Sequence, residues 1–203
     1  MFKNVGSIPV SCLLVVLVIL AGGCGSKTSS GTSSTSPATS SSGGPGNYLT
    51  SFADVDLSLQ LPVAADATTA EIESYIAEAS AKAGIPVEPH TVALLSLDNR
   101  SKTATRSKMF SISLVNTDKS QLSSEEAWAY IGTLQQKVPS SDESGFYNQG
   151  VDLYNKLIAQ DDVMPGAKAS SYIVFKTADV SRVKAVFVSS FESPGTKEMK
   201  KQS

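Results

Sequence analysis

The sequence predicts an α+β domain of about five or more antiparallel strands with two or three packed helices. Three observations predict it. Apolar and polar residues alternate strictly from Phe52 to Leu61, apolar residues recur at helical spacing in three later segments, and two further apolar runs follow the turn at Pro165-Gly166.

In the first element Val55, Leu57, Leu59 and Leu61 share one face, with Asp54, Asp56, Ser58 and Gln60 on the other, which is the pattern of a half-buried strand ended by Pro62. Thr68-x-x-Glu71 has the form of a capping box, and Ile72, Tyr75, Ile76, Ala79 and Ala83 follow as a helical stripe that Gly84 and Pro86 terminate. Thr91 to Asp98 and Lys108 to Val115 are expected as strands, joined by a polar connection from Asn99 to Ser107. Ser123-x-x-Glu126 is a second capping box, opening a helix to about Lys137 with Ala127, Tyr130, Ile131, Leu134 and Val138 on its apolar face. Trp128 falls about 100° from the centre of that face, on its flank. A third helix is expected from Asp142 to Gln160, its two glycines unfavourable for helix formation. Strands from Ala169 to Lys176 and Arg182 to Phe191 close the order β-α-β-β-α-α-β-β, and the polar tail from Ser193 is expected to fray.

Pro165-Gly166 followed by Ala169 to Phe175, and Leu97-Asp98-Asn99-Arg100-Ser101, resemble segments of the immunoglobulin-like (telokin-like) domains of bacterial surface lipoproteins of unknown function. That resemblance implies a β-sandwich-like fold and a non-enzymatic extracellular module, and it carries over no site residues.

The chain begins with one cation, Lys3, then an apolar run from Val10 to Leu20 and the small residues Ala21-Gly22-Gly23 before Cys24. This is the charged, apolar and cleavage-site order of a secretory signal, and the run is about half the length of a membrane-crossing helix. Leu20-Ala21-Gly22-Gly23-Cys24 resembles the lipobox of bacterial prolipoproteins, which implies a diacylglyceryl group on the Cys24 thiol and a membrane anchor. The expected organisation is therefore a signal peptide over 1–23, a lipidated Cys24 with a Ser/Thr/Gly linker over 24–47, one extracytoplasmic domain over 48–192, and a flexible tail over 193–203. The only other cysteine, Cys12, lies inside the apolar run, so the mature domain is expected to hold itself together without a disulfide. The linker buries no apolar surface to offset its ordering, and a coil of its length reaches about 25 Å.

A net charge of −2 and the absence of a basic face argue against nucleic acid. His90 is the only histidine, so a multi-histidine metal site is excluded and a Ser-His-Asp triad would need that one residue. Ser181-x-x-Lys184 matches a nucleophile spacing that requires a helix, yet it falls on an expected strand. Asp54 with Asp56, and Asp161 with Asp162, read as solvated carboxylates outside any calcium-loop pattern. Asn99-Arg100-Ser101 is a glycosylation tripeptide. No cofactor and no catalysis are expected.

Two candidate binding surfaces remain. Arg100, Lys102, Arg106 and Lys108 gather cations on one connection, suited to an anionic polymer, lipid headgroup or solvent. Trp128, with Tyr147 and Tyr154, suits an aromatic contact patch or packing between helices. The expected function is a membrane-tethered, monomeric binding or structural module of the cell envelope, partnered by an envelope protein or polymer. The alternative is an accessory lipoprotein that captures a ligand for a transporter.

Overall fold

The computed structural model describes residues 43–139, 144–158, 162–177, 179–191 and 195–203. The signal segment, Cys24 and nearly all of the linker lie outside the described residues. Among those residues the chain forms nine strands, β1 (Gly46–Phe52), β2 (Val55–Leu61), β3 (Thr91–Asn99), β4 (Phe110–Asn116), β5 (Gln121–Ser123), β6 (Glu125–Glu126), β7 (Lys168–Phe175), β8 (Val183–Ser190) and β9 (Thr196–Lys201), and three helices, α1 (Ala67–Ala83), α2 (Ala127–Gln135) and α3 (Ser144–Leu157).

All pairings are antiparallel, in the order β5-β4-β8-β9-β1-β2-β3-β7-β6. The two strands at the ends of this order are consecutive in the chain, separated only by Ser124. The stretch from Gln121 pairs first with β4, at Val115 and Ser113, and then with β7, at Val174 and Ile173. Ser124 continues the first ladder, its N–H donating to the Ile112 carbonyl at 2.8 Å. One bent strand thus joins both ends of the sheet and makes it nearly barrel-like. The antiparallel strands with packed helices are as expected, and β9 pairs with both β8 and β1, carrying the hydrogen bonding from one half of the structure into the other.

Period-two alternation determines what lies inside. Tyr48, Leu57, Leu59, Leu61, Leu95, Leu97, Ile112, Leu114, Ile173, Phe175, Val186, Val188 and Met199 form one buried core. Each aliphatic side chain so buried stabilises the fold by about 1.5–3 kcal/mol. The apolar runs at Val92 to Leu95 and Tyr172 to Phe175 break the alternation because those strands are covered on both faces. Val92, Leu94, Tyr172 and Val174 point outward into a second core with Ile72, Tyr75, Ile76, Ile131, Leu134, Phe146, Leu153 and Leu157 of the helices. The helices therefore pack on the outside of the β3–β7 wall.

Several boundaries move. The first expected strand is a hairpin, with Phe52 opposite Val55 across Ala53-Asp54. The cap of α1 is Asp66 instead of Thr68, its carboxylate accepting the Thr69 N–H at 2.7 Å. The Gly84 end is as expected, with φ 64° and its N–H on the Ala81 carbonyl. The Ser123 capping box does not form: Ser123 ends β5, and Glu126 precedes α2 without a side-chain cap. The expected tail over 193–203 is also corrected, because β9 fills the gap between β8 and β1 and buries Met199 to 1% exposure. The domain begins earlier than residue 48: β1 starts at Gly46, and the chain ahead of it is packed, since a Cβ on Gly43 would stand 2.0 Å from the Val183 carbonyl oxygen.

Candidate functional site

Strand direction sorts the connections to two ends of the barrel. Gly43 to Gly46 arrive at the end that also holds Leu61, Asn116 and Val183, as the β1–β2 and β4–β8 registers require. At that end the Lys201 ammonium donates to the Gly43 carbonyl at 3.0 Å, and the Tyr48 hydroxyl donates to the Gly44 carbonyl. The connection from Arg100 to Met109, the Ala53-Asp54 turn and Phe191 lie at the opposite end.

The cations of that connection do not form one patch. Arg100 turns back along the sheet, its guanidinium paired with Asp56 and 3.8 Å from Asp98. Arg106 pairs with Asp162 at 2.9 Å. Lys102 is exposed, and Lys108 stands 5.7 Å over the Trp128 ring. The structure thus joins part of the cationic connection to the aromatic flank, which the sequence treated as separate surfaces. Trp128 is partly buried, packs edge-on against Tyr154 at 5.4 Å, and donates its indole N–H to the Glu126 carboxylate. Around the same end Phe191 is 80% exposed and Met164 61% exposed, linked through the Phe191 N–H on Met109 and the Thr105–Val163 bridge.

Asn99 organises this connection from inside. It is fully buried, donates to the Thr103 and Val163 carbonyls at 2.9 and 2.7 Å, and accepts from the Ser101 N–H and hydroxyl. Its amide is therefore committed to the fold and withdrawn from any glycosylating enzyme.

A second site went unseen in the sequence. Helices cover the β3–β7 wall on one side, but the outer face of β9, β1, β2, β3 and β7 carries an open groove of about 670 Å³. Two cross-strand rows build it. In one, Ser58, Ser96 and Ser170 are register partners on β2, β3 and β7, with Ser96 and Ser170 hydroxyls 2.8 Å apart. The next row sets Ser51, Asp56, Asp98 and Lys168 side by side. Two carboxylates opposite one another would repel. Arg100 pairs with both and Lys168 lies 3.3 Å from Asp98, so the row is balanced. Lys200 and Lys201 stand on the β9 side of the groove. The outward half of each strand's alternation is the signal that could have found these residues, once the register was known.

The remaining sequence candidates stay apart. His90 has both ring nitrogens engaged, Nδ1 with the Glu88 carbonyl at 2.8 Å and Nε2 with Glu73 at 2.7 Å. Ser181 sits in a short 3-10 turn capped by Asp179, not on a strand, while Lys184 is exposed on β8. Asp56 accepts from the Ser51 hydroxyl at 2.7 Å, and Asp161 lies outside the described residues. Among the described residues no group of three His, Cys, Asp or Glu could hold a metal ion, and no helix is long and apolar enough to cross a membrane. Comparison with protein-family models, with curated proteins and with solved structures finds no match to this chain.

Proposed function

We propose that the chain is a membrane-tethered extracytoplasmic lipoprotein whose domain is a non-enzymatic binding module of the cell envelope. One observation carries the reading: the chain enters the barrel at Gly43 to Gly46, and the connection from Arg100 to Lys108 with Trp128 beside it lies toward the other end. A lipid on Cys24 and a spacer reaching about 25 Å would then hold the entry end toward the bilayer and turn Lys102, Lys108, Phe191 and Met164 outward. Exposed aromatic and apolar groups beside cations suit an envelope protein better than a polyanion, since Arg100 and Arg106 are already paired.

The test has two parts. Metabolic labelling with a fatty acid should mark the wild type and not Cys24→Ser, and labelling of that variant would end the anchor. A photo-cross-linker at Lys102 should give a discrete adduct on intact cells that Trp128→Ala weakens. A cross-linker at Lys119, in the turn between β4 and β5 at the entry end, should not give it. The second reading, capture of a ligand for a transporter, is favoured by the groove on the outer sheet face.

A further inference from the structure

We propose that the groove across β9, β1, β2, β3 and β7 binds a phosphodiester-linked polyol chain. The inference rests on the binding-module reading but not on the lipid anchor. It starts from the shape: Lys200, Leu49, Ser58, Ser96 and Ser170 are successive partners across five strands, a row about 19 Å long at the usual strand spacing. Three adjacent small side chains form its floor, so an extended chain can approach the sheet closely.

The chemistry follows from what faces that row. Arg100, Lys168 and Lys200 face the groove against only Asp56 and Asp98, leaving one positive charge in excess. Arg100, whose planar fork suits carboxylate or phosphate, is occupied by Asp56 and Asp98. The cation left toward the β9 side, Lys200, is an ammonium group, which acts on phosphate as a point charge. The serine hydroxyls both donate and accept, and the two carboxylates accept from ligand hydroxyls. A chain alternating hydroxyls with phosphates meets both sets. A bare polyanion would leave the hydroxyl row unused, and a neutral polyol would leave the lysines unused.

The test is titration of the purified full chain with a short synthetic poly(glycerol phosphate), by calorimetry at physiological salt. Unphosphorylated polyglycerol and inorganic polyphosphate should each bind at least tenfold more weakly. Lys200→Glu should weaken poly(glycerol phosphate) binding at least tenfold. Ser96→Val and Ser58→Val fill the floor without changing charge and should each do the same, while Lys137→Glu on the helical side should not. Melting curves identify any variant that fails to fold, and either serine variant suffices. Polyphosphate binding as tightly as the polyol phosphate, or both folded serine variants binding like wild type, would reduce the groove to unspecific charge attraction and overturn the proposal. A chain that is acyl-labelled and cross-links through Lys102 yet ignores the polymer loses this inference alone.

Discussion

The Lys108 ammonium stands 5.7 Å over the centre of the Trp128 ring, whose edge meets Tyr154 at 5.4 Å. A cation from the β3–β4 connection and an aromatic pair from two helices are thereby one unit. Trp128→Ala should destabilise the domain by about 2–3 kcal/mol, less than removal of a fully buried ring, because the side chain is partly exposed. Lys108→Met should cost under 1 kcal/mol and shift the emission of the single tryptophan, both read from denaturant melts followed by fluorescence. An unchanged spectrum would show that the cation does not rest on the ring in solution.

Gly150 on α3 faces the stacked pair of Tyr75 and Phe146, whose rings lie 4.8 Å apart. An added Cβ would stand 2.4 Å from the Tyr75 hydroxyl and 2.9 Å from the Gln135 amide. Alanine gains up to about 1 kcal/mol of helix propensity, but overpacking a rigid buried ring costs about 1–3 kcal/mol or more. Gly150→Ala should therefore lower stability by about 1–2 kcal/mol, and a rise in melting temperature would contradict this packing.

Met199 is the one buried side chain of β9. Met199→Ala should cost about 2–5 kcal/mol, and removal of residues 196–203 should abolish cooperative unfolding. A truncated chain that melts like the wild type would mean that β9 does not complete the sheet.

Asn99→Ala removes two donated and two accepted hydrogen bonds at a fully buried position. The Thr103 carbonyl keeps the Ser101 hydroxyl and the Val163 carbonyl keeps the Thr105 N–H, so the expected cost is about 1–3 kcal/mol in a chemical melt. Mass spectrometry of the domain purified from cells should find Asn99 unmodified.

Asp66 has its pKa held below the ordinary carboxylate value, first by the Thr69 N–H, then by the Thr69 hydroxyl and the Tyr172 hydroxyl. A lowered folded pKa means that its stabilisation is complete above the unfolded carboxylate value and disappears as pH falls through the folded one. Asp66→Ala should thus lower the melting temperature by a few degrees near neutrality, and the gap from wild type should close in acid. A gap that persists when both carboxylates would be protonated would assign the effect to packing.

How much of this was legible follows from where each strand keeps its apolar residues. β2, β3, β7 and β8 carry several inward aliphatics apiece and were found within a few residues. β9 buries a single residue among lysines, threonine and glutamate, so its pattern matches that of a frayed tail; its place depends on the pairing of Lys201 and Lys200 with Tyr48 and Leu49, near the other end of the domain's sequence. The Ser123 box has the right spacing for a helix start, but pairing with β4 and β7 holds that backbone extended. The groove could not be read because Ser58, Ser96 and Ser170 become a row only through register.

The bent strand from Gln121 to Glu126 has one more effect. An open sheet presents unpaired N–H and C=O groups that recruit strands from other chains. That single segment pairs with Ser113 to Val115 of β4 and with Ile173 and Val174 of β7, so it covers part of both edges. The seam then offers a strand of another copy a shorter backbone edge than an open sheet would.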